Sequence, residues 1–105
     1  MTARERQIVA EAKAAILSVE PAAEIILFGS RARREAHKES DFDLMIVTPE
    51  EVRVLERGPY YERVQEVNLK FGELLSMFFV DRGRWESDKL EHPFLSQVLV
   101  DGTSI

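Results

Sequence analysis

The sequence predicts a layered fold of the α/β or α+β class. Three short runs rich in β-branched and aromatic residues recur along it, at 24–28, 41–48 and 74–80. Around them, apolar residues recur at helical spacing, so the element order reads α-β-(α)-β-α-β-α. The chain has 105 residues, with 45% hydrophobic and 31% charged side chains. That length suits one domain spanning 1–105 and is short for two. The composition is that of a globular core and excludes a disordered chain.

Residues 2–19 read as the first helix. Thr2 and Glu5 have capping-box spacing. Ile8, Ala12, Ala15, Ile16 and Val19 then form one apolar stripe, and Pro21 ends it. Glu24-Ile-Ile-Leu-Phe28 reads as a buried strand, interrupted by Gly29-Ser30. Arg31-Ala-Arg-Arg-Glu-Ala36 can open a short helix, followed by a polar loop over 36–40. Residues 41–48 read as the second strand. Thr48-Pro49-Glu50-Glu51 has the chemistry of a helix start, and Gly58-Pro59 is expected to break or kink that helix. Tyr60, Tyr61, Val64, Val67, Asn68 and Phe71 continue a helical stripe to Gly72, a candidate C-cap. Residues 74–80 form the third strand, with Met77, Phe78, Phe79 and Val80 expected in the core. Two short helices, about 83–90 and 94–100, follow on either side of His92-Pro93, with Trp85 as a packing anchor and Gly102 as a stop.

Several function classes are excluded at once. There is no cysteine, so disulfide scaffolds, thiolate zinc sites and cysteine nucleophiles are ruled out. Only His37 and His92 could serve a histidine metal site. No apolar run approaches the ~20 residues of a membrane helix. The charged N-terminal stretch has no signal-peptide character, so a cytoplasmic protein without membrane contact is expected. The net charge of −5 argues against direct nucleic-acid binding. Yet Arg31, Arg33, Arg34 and Lys38 crowd into one short segment, which suits a small phosphate-bearing ligand. So small a domain has little room to enclose a cavity. An open cleft, or one completed by a partner, is expected.

The chemistry concentrates in Gly29-Ser30-Arg31-Ala32-Arg33 and in Asp41-Phe42-Asp43. Asp41 and Asp43 alternate on a predicted strand, so both face one side, with Cα atoms ~6.6 Å apart. Two such carboxylates can converge on metal ions ~3.5–4 Å apart. Oxygen-only ligands suit magnesium or manganese. Gly29, without a Cβ, lets backbone approach a phosphate closely. Backbone N–H groups at a helix start and the Ser30 hydroxyl supply donors, and Arg31 and Arg33 add charge-assisted ones. Surface roles remain open for both arginines. Ser30 can equally cap a helix. Together the two halves suggest a nucleoside triphosphate site.

Gly29-Ser30, ten intervening residues and Asp41-Phe42-Asp43 resemble the signature of the DNA polymerase β nucleotidyltransferase superfamily. The short length and the Gly-Ser-Arg-Ala-Arg form are similar to its minimal nucleotidyltransferase branch. The resemblance implies a small mixed β-sheet flanked by helices and magnesium-dependent transfer of AMP from ATP to a hydroxyl. Gly29 and Ser30 carry over as phosphate ligands, Asp41 and Asp43 as the catalytic, metal-holding carboxylates. It also implies a partner, since many minimal members are antitoxins paired with a HEPN-domain toxin. Some adenylylate a tyrosine of that toxin. The oligomeric state stays open.

One departure accompanies the resemblance. The family's third carboxylate lies on the third strand, and aligning Met77–Val80 with its apolar run puts Ser76 there. Glu73 and Asp81 are the nearest acids, but each is an odd number of residues from Ser76 and so points to the other face of a regular strand. Slow or absent transfer by the isolated chain is therefore expected. Two other readings stand beside the enzyme: an antitoxin that acts by contact alone, and a small-molecule nucleotidyltransferase. The last would normally need a further acceptor-binding domain.

Overall fold

The computed structural model describes residues 1–29, 32 and 41–105. The short helix expected from Arg31 and the loop 36–40 lie outside the described residues. Helix α1 runs Ala3–Val19 and β1 Glu24–Phe28. Strand β2 runs Phe42–Thr48, helix α2 Gly58–Phe71 and strand β3 Leu75–Asp81. Helices α3 (Arg82–Asp88) and α4 (Pro93–Asp101) and strand β4 (Thr103–Ser104) complete the order. The sheet is mixed, with strands ordered β3-β2-β1-β4. β1 pairs antiparallel with β2 and β4, and β2 pairs parallel with β3.

Helix α1 starts as its sequence dictates. The Thr2 side chain accepts from the Glu5 N–H at 3.1 Å, and the Glu5 carboxylate accepts from the Thr2 N–H at 2.9 Å. Its buried stripe, Ile8, Val9, Ala12 and Ile16, packs with Tyr60, Val64 and Val67 of α2. These helices cover one sheet face, made of Ile25, Leu27, Phe42, Leu44, Ile46, Leu75 and Met77. The opposite face, Ile26, Phe28, Met45, Val47 and Val80, packs against Trp85 of α3 and Leu95 and Val98 of α4. Central β2 is covered on both sides, which is why 44–47 reads as an unbroken apolar run rather than an alternation.

Four sequence expectations are corrected. No α-helix starts at Thr48. That residue ends β2, is buried, and donates its hydroxyl to the Glu50 carbonyl at 2.6 Å. The capping interaction forms later, where Glu56 accepts from the Arg53 N–H at 3.1 Å around a single 3₁₀ turn, Val54–Glu56. Gly58-Pro59 does not break a helix but opens α2. Proline in the first turn has a preset φ, and its missing N–H lacks an intrahelical acceptor there anyway. β3 is one residue further along than expected and ends at Asp81, which caps α3 by accepting from the Arg84 N–H at 2.8 Å. Phe78 is not core: it is 39% exposed, while Met77 and Val80 are buried. Short β4 is an addition at the sheet edge that the sequence reading did not contain.

The remaining stops behave as read. Gly72 caps α2 at φ 65°, a left-handed conformation that glycine adopts without steric cost. Trp85 is buried, and the His92 ring nitrogen Nδ1 accepts from the N–H groups of Phe94 and Leu95 at the start of α4. Among the described residues, no helix is long and apolar enough to cross a membrane.

Candidate functional site

Gly29, Asp41 and Asp43 lie at one end of the sheet. Asp43 is the second residue of β2 and lies between Phe28 of β1 and Ser76 of β3 in register. Side chains alternate along β2, so Asp43 shares a face with Met45 and Val47, the face covered by α3 and α4. Asp41 stands one residue ahead of the strand and is exposed. Gly29 leaves β1 immediately after Phe28 with φ 78°. Ser30, Arg31 and Arg33 lie outside the described residues, as does His37.

Gly29 and Asp43 are in close apposition. A Cβ placed on Gly29 would collide with the Asp43 carboxylate oxygen Oδ2. Two constraints therefore act on this position together: a left-handed backbone and a neighbouring carboxylate that leaves no side-chain space. The turn after β1 thus passes directly against the carboxylate of β2.

The electrostatics of the pair follow from its placement. Asp43 is half-buried, and loss of water raises its carboxyl above the usual range. The charge of nearby Asp41 pushes it the same way. A divalent cation between the two would remove that repulsion. Magnesium is commonly held by one or two carboxylates, waters and substrate phosphates rather than by an all-protein cage. Asp41 and Asp43 fit that donor set. Among the described residues, no group of three His, Cys, Asp or Glu side chains is placed to hold a metal.

Ser76, which the resemblance aligns with a third carboxylate, is the register partner of Asp43. The two nearest acids are committed elsewhere. Glu73 pairs with Arg4 of α1 at 2.7 Å. Asp81 caps α3. Tyr60 is buried with its ring 5.1 Å from that of Phe79, and Tyr61 is half-exposed beside it, both on the α1/α2 face and away from Asp43. Sequence reading missed Phe78 and Phe94 as part-exposed rings packed on Phe28, the register partner of Asp43. The signal was available for Phe78, since it lies two residues from Ser76 and so on the same face.

Comparison with known proteins agrees with this geometry. A family model described as a nucleotidyltransferase domain matches residues 9–95. Among solved structures, one of a toxin–antitoxin with AMP-PNP superposes with a TM-score of 0.58 at 20% identity, over 95% of this chain and 70% of that one. A protein from Sulfolobus solfataricus described as a nucleotidyltransferase superposes with a TM-score of 0.55 at 24% identity, over 77% of this chain and 70% of that one. No curated protein sequence matches the chain.

Proposed function

Since the chain belongs to the nucleotidyltransferase domain family, we propose that it is an antitoxin that transfers AMP from ATP to a hydroxyl, a tyrosine in the first instance, of a HEPN-type toxin. The observation that carries the reading is the Gly29–Asp43 apposition. A turn able to receive phosphates touches a carboxylate able to hold their counter-ion, and both sit at one open end of the sheet.

The residues divide the work. Asp41 and Asp43 hold magnesium, which when bound neutralises charge on the phosphates as it develops. Gly29 keeps the backbone clear for the β- and γ-phosphates, and the Ser30 hydroxyl donates to them. Arg31 and Arg33 add positive charge nearby. The acceptor oxygen displaces pyrophosphate from the α-phosphorus in line. Ser76 can supply neither charge nor basicity beside Asp43, so transfer by the isolated chain is slow.

The toxin–antitoxin neighbour supports the choice of a toxin partner. Ser76 in register with Asp43 favours a second reading, an antitoxin that binds its toxin and keeps a weak site. One experiment separates them. The chain is mixed with Mg–ATP and a HEPN-domain toxin, and both proteins are weighed by mass spectrometry. A toxin gaining one or more AMP units supports transfer. An unmodified toxin, still neutralised by the Asp41→Asn/Asp43→Asn variant, supports binding alone and ends the enzymatic reading.

A further inference from the structure

The two edges of the sheet differ. β4 forms one and is two residues long. β3 forms the other, seven residues from Leu75 to Asp81 in unbroken register with β2. The ladder fixes which way its backbone groups point. The Phe42 N–H donates to the Leu74 carbonyl at 3.2 Å, so the even-numbered residues of β3 are the ones that bond to β2. The N–H and C=O groups of Leu75, Met77, Phe79 and Asp81 therefore point outward. Two of these groups are bonded within the chain. The Leu75 N–H donates to Asn68 Oδ1 at 3.1 Å. The Asp81 carbonyl, at the N-cap of α3, accepts the first bond of that helix. Among the described residues, nothing bonds the outward groups of Met77 and Phe79, the Leu75 carbonyl or the Asp81 N–H.

Edges of this length are commonly blunted by lysine, proline or a bulge. β3 carries none of these, and its one ionisable residue, Asp81, stands at its end. A recess of about 300 Å³ opens along the edge between Arg57 and Arg84. Met77 and Phe79 line it from one face of the strand, Phe78 and Val80 from the other. Aromatic rings stand on both sides. Phe78 and Phe94 are 39% and 40% exposed, with ring centroids 5.5 Å apart. On the opposite face, half-exposed Tyr61 lies 6.4 Å from Phe79.

We propose that the β3 edge pairs with β3 of a second copy of this chain, antiparallel about a two-fold axis at Phe78. The free backbone groups select both the occupant and the register. With Phe78 facing its own copy, Met77 meets Phe79 of the second chain, and each such pair exchanges both N–H···O bonds. The Leu75 carbonyl accepts from the Asp81 N–H of the second chain. The two groups already bonded, the Leu75 N–H and the Asp81 carbonyl, fall opposite one another, so every free group meets a free group. Moving the axis to Met77 sets the free Phe79 carbonyl against the bonded Leu75 N–H. Moving it to Phe79 sets the free Met77 N–H against the bonded Asp81 carbonyl. The side chains agree with the axis at Phe78. That residue then forms a non-hydrogen-bonded pair, the closer kind, with Cα atoms ~4.5 Å apart. Phe79 lies opposite Met77, ring against sulfur. Such an isologous contact closes on itself at two chains. Asp43 and the turn at Gly29 belong to the inner strands β2 and β1, so each copy keeps its own candidate site. The pairing holds whether or not the chain transfers AMP.

The test uses sedimentation, amide exchange and cross-linking of the whole chain. At a concentration on the order of 100 μM, where even a micromolar pair is formed, wild type should sediment at twice the mass of one chain. Exchange of the Met77 and Phe79 amides should slow as concentration rises. Phe78→Lys and Phe78→Glu should each sediment as single chains, because like charges then face each other at the axis, and an equal mixture of the two should restore the pair. The chain has no cysteine, so a single one reports its own contacts. Phe78→Cys should cross-link two chains on oxidation, since ~4.5 Å between Cα atoms lies within disulfide range. Val100→Cys, exposed on α4, should not. Circular dichroism checks the fold of each variant, and if the charged variants unfold, the cross-link and the wild-type exchange decide. Single wild-type chains with unprotected Met77 and Phe79 amides would overturn the proposal. A pair that survives folded Phe78→Lys, with no cross-link through Phe78→Cys, would place the interface elsewhere and overturn it as well. Protection of these amides only after a HEPN-domain toxin is added would assign the edge to a strand of that partner, against a second copy.

Discussion

Ser76 and Asp43 are register partners on adjacent parallel strands, with both side chains on the face covered by α3 and α4. A carboxylate at Ser76 would therefore join Asp41 and Asp43 at one site. Ser76→Asp should raise the rate of AMP transfer, by as much as ~10²–10⁴-fold if the new group also takes the acceptor proton. Without metal the variant should melt lower than wild type, because it adds a third negative charge beside an already strained pair. Added magnesium should remove that deficit. Equal rates for variant and wild type, with both folded, would show that position 76 plays no part in the chemistry.

Asp43 gives a second prediction of the same physical origin. Burial and Asp41 raise its carboxyl, so the ionised form costs the folded state at neutral pH. Replacing it by a neutral amide removes that cost. Asp43→Asn should raise the melting temperature of the metal-free chain, yet lose the stabilisation that Mg–ATP gives wild type. A variant that is no more stable alone, or that gains as much from Mg–ATP, would argue against Asp43 as a metal ligand.

The ion pair joining α1 and α2 has the opposite sign. Lys70 Nζ lies 2.8 Å from Glu11 Oε1, and its hydrogen bonds hold the Glu11 carboxyl below the usual range. A group lowered in the fold stabilises above its unfolded pKa of about 4.3, and that contribution fades as pH falls through the folded value. Glu11→Gln should lower the melting temperature slightly at pH 7, and by less as the pH falls into the acid range. The difference at pH 7 should shrink in high salt, since both groups are exposed to solvent. A deficit that persists unchanged at low pH would show that packing, not charge, is lost.

Much of the fold was legible because its signals are local. Thr2 and Glu5 announce α1, Gly72 ends α2, and the apolar run from Leu44 to Val47 marks a strand covered on both sides. The errors came where two local readings compete. Thr48-Pro49-Glu50-Glu51 has every residue of a helix start, but the Thr48 hydroxyl is spent on the Glu50 carbonyl. Gly58-Pro59 can end a helix or begin one, and only α2 packing on α1 decides. β4 depends on non-local closure, with Gly102 fitting against Ile26 and the Val98 carbonyl so that Thr103 and Ser104 reach β1. At the site, the spacing of Asp41 and Asp43 and the glycine before them were readable. Exposure of Phe78 was not, because an aromatic residue in an apolar run looks the same whether a helix covers it or leaves it at a rim.

Gly29 is the position where fold and proposed chemistry constrain one residue together, and it yields the last prediction. At φ 78° an L side chain is strained by about 1–3 kcal/mol, and its Cβ would strike the Asp43 carboxylate. Gly29→Ala should therefore destabilise the chain and displace Asp43 from the position it shares with Asp41. Gly29→Val adds two methyl groups on the phosphate side and should abolish Mg–ATP binding outright. Ser30→Ala removes one hydrogen bond to a charged phosphate, ~1.5–3 kcal/mol, and should weaken ATP about ten- to a hundredfold without touching stability. Calorimetric ATP titrations and thermal melts on the three variants give the order. Binding should fall from Ser30→Ala to Gly29→Val, with stability lost only at Gly29. If Gly29→Val stays folded and binds Mg–ATP as wild type does, the turn after β1 is a structural turn and the phosphates lie elsewhere.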